Sequence, residues 1–208
     1  DDCPDENFWL FGEQGVINYK KIVSNHKEFG SKSLPSAGLF LIRDDKNQTY
    51  AIIIGGNKPL LAPSAHFHND ILSLEIWIKG KAIFIDPGTF CYTSDIKKRN
   101  YFRSTLNHNT ISINSDEINP INDEVFYLYW DTIFLCKQWS VLSEKIIFIG
   151  QHNGYEKKYG VIIERKIIYN TKNKSWIIED VIINNNNKIK LININWVMNP
   201  ELKITHNH

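Results

Sequence analysis

Three polar side chains of metal-binding type occupy alternate positions just before an apolar strand pattern. His66, His68 and Asp70 share one parity, and side chains two apart along a strand point to the same face. That face becomes apolar downstream, where an unpaired polar group costs roughly 2–7 kcal/mol to bury. A divalent metal would satisfy them, because neutral imidazole and carboxylate are ligands of zinc. Candidates for the remaining ligands are Asp86, before a Pro-Gly break, and His108, before a later strand.

The same residues also fit a polar cleft lined by hydrogen-bonded histidines that bind no metal. Geometry sets a condition on the metal hypothesis. In a hairpin that turns at Gly80, Asp86 lies opposite residues near Leu74, and a straight strand would leave His68 about 20 Å away. A single metal can therefore contact both residues only if the chain folds back around residues 69–71.

A second group of polar and aromatic residues lies in segment 86–110. It supplies two phenols, two guanidinium groups and an amide, from Tyr92, Tyr101, Arg99, Arg103 and Asn107. A tyrosine can transfer a proton in either direction, and arginine forms paired hydrogen bonds with carboxylates. Each also has a structural interpretation, with Tyr101 as a packing residue, Arg103 as an ion-pair partner of a nearby aspartate and Asn107 as a turn cap. Together they favour a cleft with acid–base chemistry.

Short β-branched and aromatic runs, separated by turn residues, fill the chain from Leu39 onward. About ten such runs occur, at the spacing of strands in an antiparallel sandwich or barrel. They include the runs at 72–78, 82–86, 110–114 and 125–130. Long polar segments interrupt the strands at 61–68 and 87–107, beside the candidate residues, and loops mounted on a sheet commonly carry chemistry. The pattern predicts an all-β, antiparallel fold.

Composition excludes several function classes. The net charge of +1, with scattered Lys and Arg, gives no basic stripe for nucleic acid, and no apolar run approaches the roughly 20 residues of a membrane span. The three cysteines form no CxxC pair, so at most one disulfide is possible. Gly-rich phosphate loops, G-x-S-x-G and H-E-x-x-H are absent from the sequence. The first 25 residues fit a helix end or an irregular connector, and we treat them as a linker.

Residues 66–114 resemble the signature of the heparinase II/III-like family. The motif elements occur in order: His-x-His-x-Asp, an apolar strand, Asp-Pro-Gly-Thr, a tyrosine, Arg-x-x-x-Arg-Ser-Thr and His-Asn-Thr. The resemblance to sequences of this family extends over most of residues 34–169. The resemblance implies an N-terminal α/α toroid joined to a C-terminal β-sandwich, in proteins that cleave acidic polysaccharides by β-elimination.

By this resemblance, residues 1–33 are a linker from a toroid absent from this chain, and residues 34–208 are an antiparallel multi-stranded β-sandwich. The toroid of such proteins supplies the principal catalytic tyrosine and the asparagine or histidine that holds the uronate carboxylate. We therefore expect this chain alone to be inactive. Polysaccharide cleavage also leads us to expect a periplasmic or secreted protein of the bacterial envelope.

The resemblance also assigns roles to residues. It implies a zinc ion bound by His68, Asp86 and His108, in a mainly architectural role. We assign catalytic roles to His66, which matches a substrate-facing histidine, and to Tyr92, and substrate contacts to Arg99, Arg103 and Asn107. One departure is Glu164, where relatives often carry a histidine, so the resemblance leaves a cleft contact at this position open.

Our hypothesis is the β-sandwich part of a polysaccharide lyase that acts on a uronate-containing acidic glycan. A non-catalytic carbohydrate-binding or polysaccharide-assembly module is the alternative, because a fold does not establish a reaction. A metal hydrolase built on the His and Asp residues is a weaker third hypothesis, since no general base stands out at suitable spacing.

Overall fold

The N-terminal part of the chain is helical. The computed structural model describes residues 5–24, 30–56, 66–122, 128–184 and 189–203. The chain divides into two compact units between Gly30 and Ser31. In the first unit, helix α1 (Asp5–Ser24) is broken at Gly12, whose φ of 60° lies in the left-handed region that glycine adopts readily. The role of residues 1–33 as a linker from another domain remains a prediction.

The second unit is built from antiparallel strands. They are β1 (Lys32–Leu34), β2 (Leu39–Asp44), β3 (Thr49–Ile54), β4 (Leu74–Ile78), β5 (Lys81–Phe84), β6 (Ile111–Ile113), β7 (Phe134–Val141), β8 (Lys145–Tyr155), β9 (Val161–Asn170), β10 (Ser175–Asn184) and β11 (Ile192–Ile194). One sheet has the order β1-β2-β3-β4-β5, another β10-β9-β8-β7, and a short third sheet pairs β11 with β6. All these pairings are antiparallel, which confirms the predicted fold class.

Aromatic side chains fill the space between the two large sheets. Phe40 of β2 packs on the rings of Phe134, Trp139 and Phe148, with centroid distances of 5.9, 5.7 and 4.8 Å. Phe40 belongs to the five-stranded sheet and the other three rings belong to β7 and β8. The two sheets therefore pack face to face as a sandwich.

Several elements differ from the sequence pattern. Strand β7 was not predicted, because its polar residues and a bulge between Cys136 and Gln138 break the apolar alternation. Helices α2 (Ile96–Phe102) and α3 (Glu156–Tyr159) were not predicted either. The Asp95 side chain caps α2 by accepting from the Lys98 amide at 3.0 Å, a signal that the sequence does contain.

The strand predicted at 125–130 is not formed by the described residues of that run. Leu128 makes one isolated bridge with Ile121, and residues 125–127 lie outside the described part. Trp130 is buried instead, with its indole nitrogen donating to the Thr132 carbonyl and its ring against Phe67 at 5.3 Å. Leu128 and Trp130, in the described part of this run, are therefore buried without forming a strand. Among the described helices, none has the length and apolar character needed to cross a bilayer.

Candidate functional site

A sharp turn before β4 brings the first histidines toward the end of the neighbouring hairpin. Leu72 has a φ of 64°, a left-handed conformation that is uncommon outside glycine. The Ser73 amide donates to Asp70 at 2.8 Å, and the Leu72 amide donates to Ile54 of β3 at 2.7 Å. Strand β4 consequently begins at Leu74, and the straight strand from His66 onward does not form. The chain folds back here, as the metal hypothesis requires.

The fold-back brings His68, Asp86 and His108 together. One ligand-type atom from each lies within 4.8 Å of the others, and the two imidazole rings are 5.2 Å apart between centroids. His108 Nδ1 lies 2.9 Å from Asp86 Oδ2. His108 is fully buried, and its Nε2 has no hydrogen-bond partner among the described residues. Two imidazoles, a carboxylate and an unpaired buried nitrogen fit the ligand chemistry of zinc.

Electrostatics hold two of these residues, His68 and Asp86, in their metal-binding protonation states. Burial, together with the positive charges of His108 and Arg99, lowers the pKa of His68 to about 4. Burial alone would raise the pKa of Asp86, but the hydrogen bond from His108 and its charge hold that pKa below the ordinary value. At neutral pH the site therefore offers a neutral His68 imidazole and an ionised Asp86, the forms that bind metals.

A cavity of about 390 Å³ lies beside this cluster. Its lining includes His66 and His68 and the carboxyl groups of Asp70, Glu75 and Asp86. Burial raises the pKa of Asp70 to about 6 and also raises the pKa of Glu75. Three acidic groups around one cavity make it more favourable for a cation than for the carboxylate of a glycan.

Arg99 connects this cluster to the predicted catalytic pair. Its Nη1 lies 3.3 Å from His68 Nε2, and its guanidinium carbon lies 5.6 Å from the ring centre of Tyr92. Tyr92 is 45% exposed and meets the exposed ring of His66 edge-on, with 5.5 Å between centroids. The structure therefore brings His66 and Tyr92 together at the surface, with the buried Arg99 behind them.

The other two predicted substrate contacts have different surroundings. Arg103 is fully buried, and its Nη2 donates to the Asn122 carbonyl at 3.4 Å. The side-chain amide of Asn107 donates to the Tyr101 carbonyl at 2.6 Å and to Ser104 Oγ at 2.9 Å, so this side chain caps the end of α2. In this conformation Arg103 has no exposed surface, whereas Asn107 is half-buried, and its substrate contact stays a prediction.

A buried asparagine that sequence reasoning did not single out holds the turn before β4. Asn69 donates to Glu117 Oε2 and to the Asn119 carbonyl, both at 2.7 Å, and accepts from the Asn119 amide at 3.0 Å. The same Glu117 oxygen accepts from the amide and hydroxyl of Thr105 at 2.8 and 2.9 Å. Asn69 lies next to His68, so this network fixes the backbone that carries a candidate ligand. The available signal was an asparagine inside the His-x-His-x-Asp motif.

Asn109 has the same function beside His108. Its side-chain amide donates to the carbonyls of Leu74 and Ile85, at 2.8 and 3.1 Å, and its backbone amide donates to Ser73 Oγ at 3.2 Å. These bonds tie the segment after His108 to the adjacent ends of the β4–β5 hairpin. A buried asparagine thus fixes the second histidine relative to Asp86.

Glu164, the position where relatives often carry histidine, lies away from these contacts. Its Oε2 accepts from Lys137 Nζ of β7 at 2.7 Å. The neighbouring Arg165 is fully buried, so the alternation of β9 places Glu164 on the opposite, outer face of the sheet. The position therefore carries a cross-strand ion pair.

Comparison with known proteins agrees with the sequence motif. The family model "Heparinase II/III-like, C-terminal" matches residues 26–208. A heparin-sulfate lyase of Pedobacter heparinus is 32% identical over 155 residues, which is 67% of this chain and 21% of that protein. A heparin-sulfate lyase of Bacteroides stercoris is 22% identical over 161 residues, 75% of this chain and 21% of that protein.

Solved structures share the fold. The structure of "Heparinase III-BT4657 gene product" has a TM-score of 0.71 at 20% identity, covering 96% of this chain and 29% of that one. Heparan sulfate lyase HepC from Pedobacter heparinus has a TM-score of 0.62 at 20% identity, covering 85% of this chain and 26% of that one. The chain spans between a fifth and a third of the length of these relatives. It belongs to the heparinase II/III-like family and corresponds to that family's C-terminal domain.

Proposed function

We propose that this chain is the β-sandwich part of a polysaccharide lyase that cleaves a uronate-containing acidic glycan by β-elimination. Its partner in the reaction would be an N-terminal α/α toroid domain. Membership of the family and similarity to two heparin-sulfate lyases support this proposal. The reaction of the whole protein is inferred, because the chain covers only 21% of each of those relatives.

The observation that carries the proposal is the exposed His66–Tyr92 pair in front of Arg99 and the His68 cluster. β-Elimination removes the proton at C5 of the uronate and returns a proton to the departing oxygen at C4, which requires a positioned acid and base. An imidazole and a phenol 5.5 Å apart between ring centres can both face one sugar unit. In the complete protein the toroid would supply the principal catalytic tyrosine on the other wall of the cleft.

The buried arginines have an electrostatic role in this proposal. Arg99 and Arg103 are at most 2% exposed, so they act on the substrate through their positive charge rather than through a direct fork. Charge placed where the enolate develops stabilises the transition state without reorganisation. Asn107 would contribute by fixing the end of α2, the helix that carries Arg99.

His68, Asp86 and His108 would hold the zinc. When bound, zinc would fix the two loops of the cleft wall and add positive charge near the developing enolate. His68 Nε2 has a single lone pair, so Arg99 and a metal cannot both occupy that nitrogen. The two histidines and the aspartate come from three separate segments, so they would cross-link the loops.

The test is a lyase assay on the protein together with its N-terminal domain. Cleavage of heparan-type, alginate-type and capsule-type uronate glycans would raise ultraviolet absorbance through unsaturated uronate ends. We expect His66→Ala and Tyr92→Phe to lower kcat about a hundredfold or more, because each removes a proton-transfer group. Tyr50→Phe, a β3 tyrosine that lies beside Arg43, is the matched control.

Two results would contradict the proposal. Binding of acidic glycans without any absorbance rise favours the carbohydrate-binding or assembly module. Saturated products favour a hydrolase. We also propose that the protein is periplasmic or secreted, because large glycans are met outside the cytoplasm, and cell fractionation with antibody detection tests this directly.

A further inference from the structure

A buried arginine of the four-stranded sheet reaches across the sandwich to both loops of the candidate metal site. Arg165 lies on β9 with a fully buried side chain. Its Nε and Nη2 donate to Asp180 of β10, at 2.7 and 2.9 Å, in a two-bond ion pair. Asp180 is the direct cross-strand partner of Arg165 in the sheet register. This pair fixes the orientation of the guanidinium plane.

The remaining terminal nitrogen of Arg165 contacts the backbone of the site. Nη1 donates to the Leu72 carbonyl at 2.9 Å and also to the Asn109 carbonyl. Leu72 ends the turn that carries His68, and Asn109 directly follows His108 in the chain. One nitrogen therefore joins the two segments that supply the two imidazoles.

The backbone that Arg165 holds is one that needs support. Leu72 is fully buried with a φ of 64°, and such strained residues persist only where surrounding contacts over-determine them. Its carbonyl and that of Asn109 lie in the interior, where backbone oxygens require donors. The face of Trp196, 5.3 Å from the guanidinium carbon, further limits movement of Arg165.

We infer that Arg165 is a positioning residue that sets the spacing between His68 and His108, with Asp180 as its anchor. The inference rests on the zinc site of the proposed function. Arg165 acts through backbone carbonyls and does not itself touch the metal or the substrate. Lysine cannot replace it, because one ammonium group cannot hold the Asp180 carboxylate in a fork and reach both carbonyls together.

The test compares Arg165→Lys with Lys166→Gln in the intact chain. Lys166 is the next residue of the same strand and pairs with Glu179, the neighbour of Asp180, at 2.7 Å on the outer face, so it is a matched control. Three quantities are measured: the Zn²⁺ dissociation constant by competition with a chromophoric chelator, the visible spectrum of the Co²⁺-loaded protein, and urea unfolding of the metal-free protein. We expect Arg165→Lys to weaken Zn²⁺ binding about tenfold and to change the Co²⁺ bands. Lys166→Gln should leave both unchanged.

The outcomes distinguish a failure of this inference from a failure of the proposed zinc site. If Arg165→Lys lowers stability but binds Zn²⁺ as tightly as the parent with the same Co²⁺ spectrum, Arg165 is only a structural residue and the inference is wrong. If the parent binds no Zn²⁺, the metal site itself is wrong and the inference falls with it. If Arg165→Lys does not fold, Asp180→Asn replaces it, because asparagine keeps one acceptor while loosening the fork. The same loss of Zn²⁺ affinity is expected there, and unchanged affinity overturns the inference.

Discussion

Among the described residues, two regions of this sandwich contain a buried histidine with an unpaired ring nitrogen, and only one of them resembles a metal site. His108 lies in the polar corner with His68 and Asp86, while His152 lies inside the sandwich on β8. His152 is 1% exposed, and its Nδ1 accepts from the Gly154 amide at 3.2 Å. The Nε2 atoms of both His108 and His152 have no hydrogen-bond partner within the described part of the chain.

The two regions differ in the groups that surround each histidine. A carboxylate and a second imidazole converge on His108, and the hydrogen bond to Asp86 orients its ring. Around His152, burial and the charge of Arg165 lower the pKa of the imidazole to about 3, so the ring stays neutral. Burial and an unpaired nitrogen therefore do not make a ligand. A metal site requires several donor groups that converge from different segments.

The largest expected effect is a loss of stability from a core substitution that leaves the metal site unchanged. Phe148 lies on the inward row of β8, two inward positions before His152, and packs on Phe40. Phe148→Ala should lower the free energy of unfolding by about 3–5 kcal/mol, because it opens a cavity in a close-packed core. Urea unfolding measures the loss. Zn²⁺ affinity of the folded variant should match that of the parent, and a large drop would mean that the two regions are not independent.

The second prediction removes the converging carboxylate. Asp86→Asn should weaken Zn²⁺ binding about a hundredfold, or about 3 kcal/mol, because a neutral amide oxygen is a poorer ligand and the His108 ring loses the carboxylate that orients it. Isothermal titration with Zn²⁺ measures the effect. His152→Gln is the control and should bind like the parent. Equal loss in both variants would erase the distinction between the two histidines.

The third prediction uses the neutral state of His152. Its pKa is about 3 in the folded chain and about 6.5 in an unfolded one. Between these pH values the unfolded chain binds one more proton at this site, so stability rises with pH and is lost as pH falls from 6.5 toward 3. In His152→Gln, stability should fall less steeply between pH 6.5 and pH 4, by up to about 1.4 kcal/mol per pH unit.

Measuring the difference between parent and variant isolates this effect. Asp70, with its pKa raised to about 6, keeps its proton longer in the folded chain and so contributes a slope of opposite sign between about pH 4 and 6. That contribution is the same in both proteins and cancels. Parallel stability curves for the two proteins would show that His152 titrates normally.

The smallest effect is expected on the outer face of the four-stranded sheet. Glu164→Gln removes the ion pair with Lys137 and should change the free energy of unfolding by less than about 1 kcal/mol, because partly exposed pairs contribute little. Urea unfolding and Zn²⁺ titration should both resemble the parent. A clear loss of Zn²⁺ affinity would place this position in the site after all.

The sequence predicted much of the fold because local patterns carry it. Alternating apolar residues gave the strands from β2 to β5 and from β8 to β10. The left-handed Lys79 and Gly80, with φ of 52° and 74°, form the tight turn that the predicted hairpin requires. Strand β7 was missed because a bulge hides its alternation. The described residues 128–130 of the run predicted at 125–130 form no strand, because burial of Trp130 in the core produces the same apolar pattern.

The candidate site could be predicted only in part. Spacing pointed to His66, His68 and Asp70, with Asp86 and His108 as further candidates, and the family motif selected His68, Asp86 and His108. Burial of Arg99 and Arg103, and the use of Asn107 as a helix cap, depend on neighbours that no local pattern specifies. The support from Asn69 and Arg165 was missed for the same reason, since their partners lie 50 and 93 residues away.

By itself, the sequence determined most of the strands, the family and the set of residue types capable of binding a metal, because side-chain parity and ordered motifs are properties of neighbouring residues. The tertiary structure decided that His68, Asp86 and His108 meet, that His152 stands apart from them, and that Arg165 joins the two loops. These outcomes depend on one left-handed residue, Leu72, and on hydrogen bonds between distant segments, whose geometry exists only once the two sheets have packed.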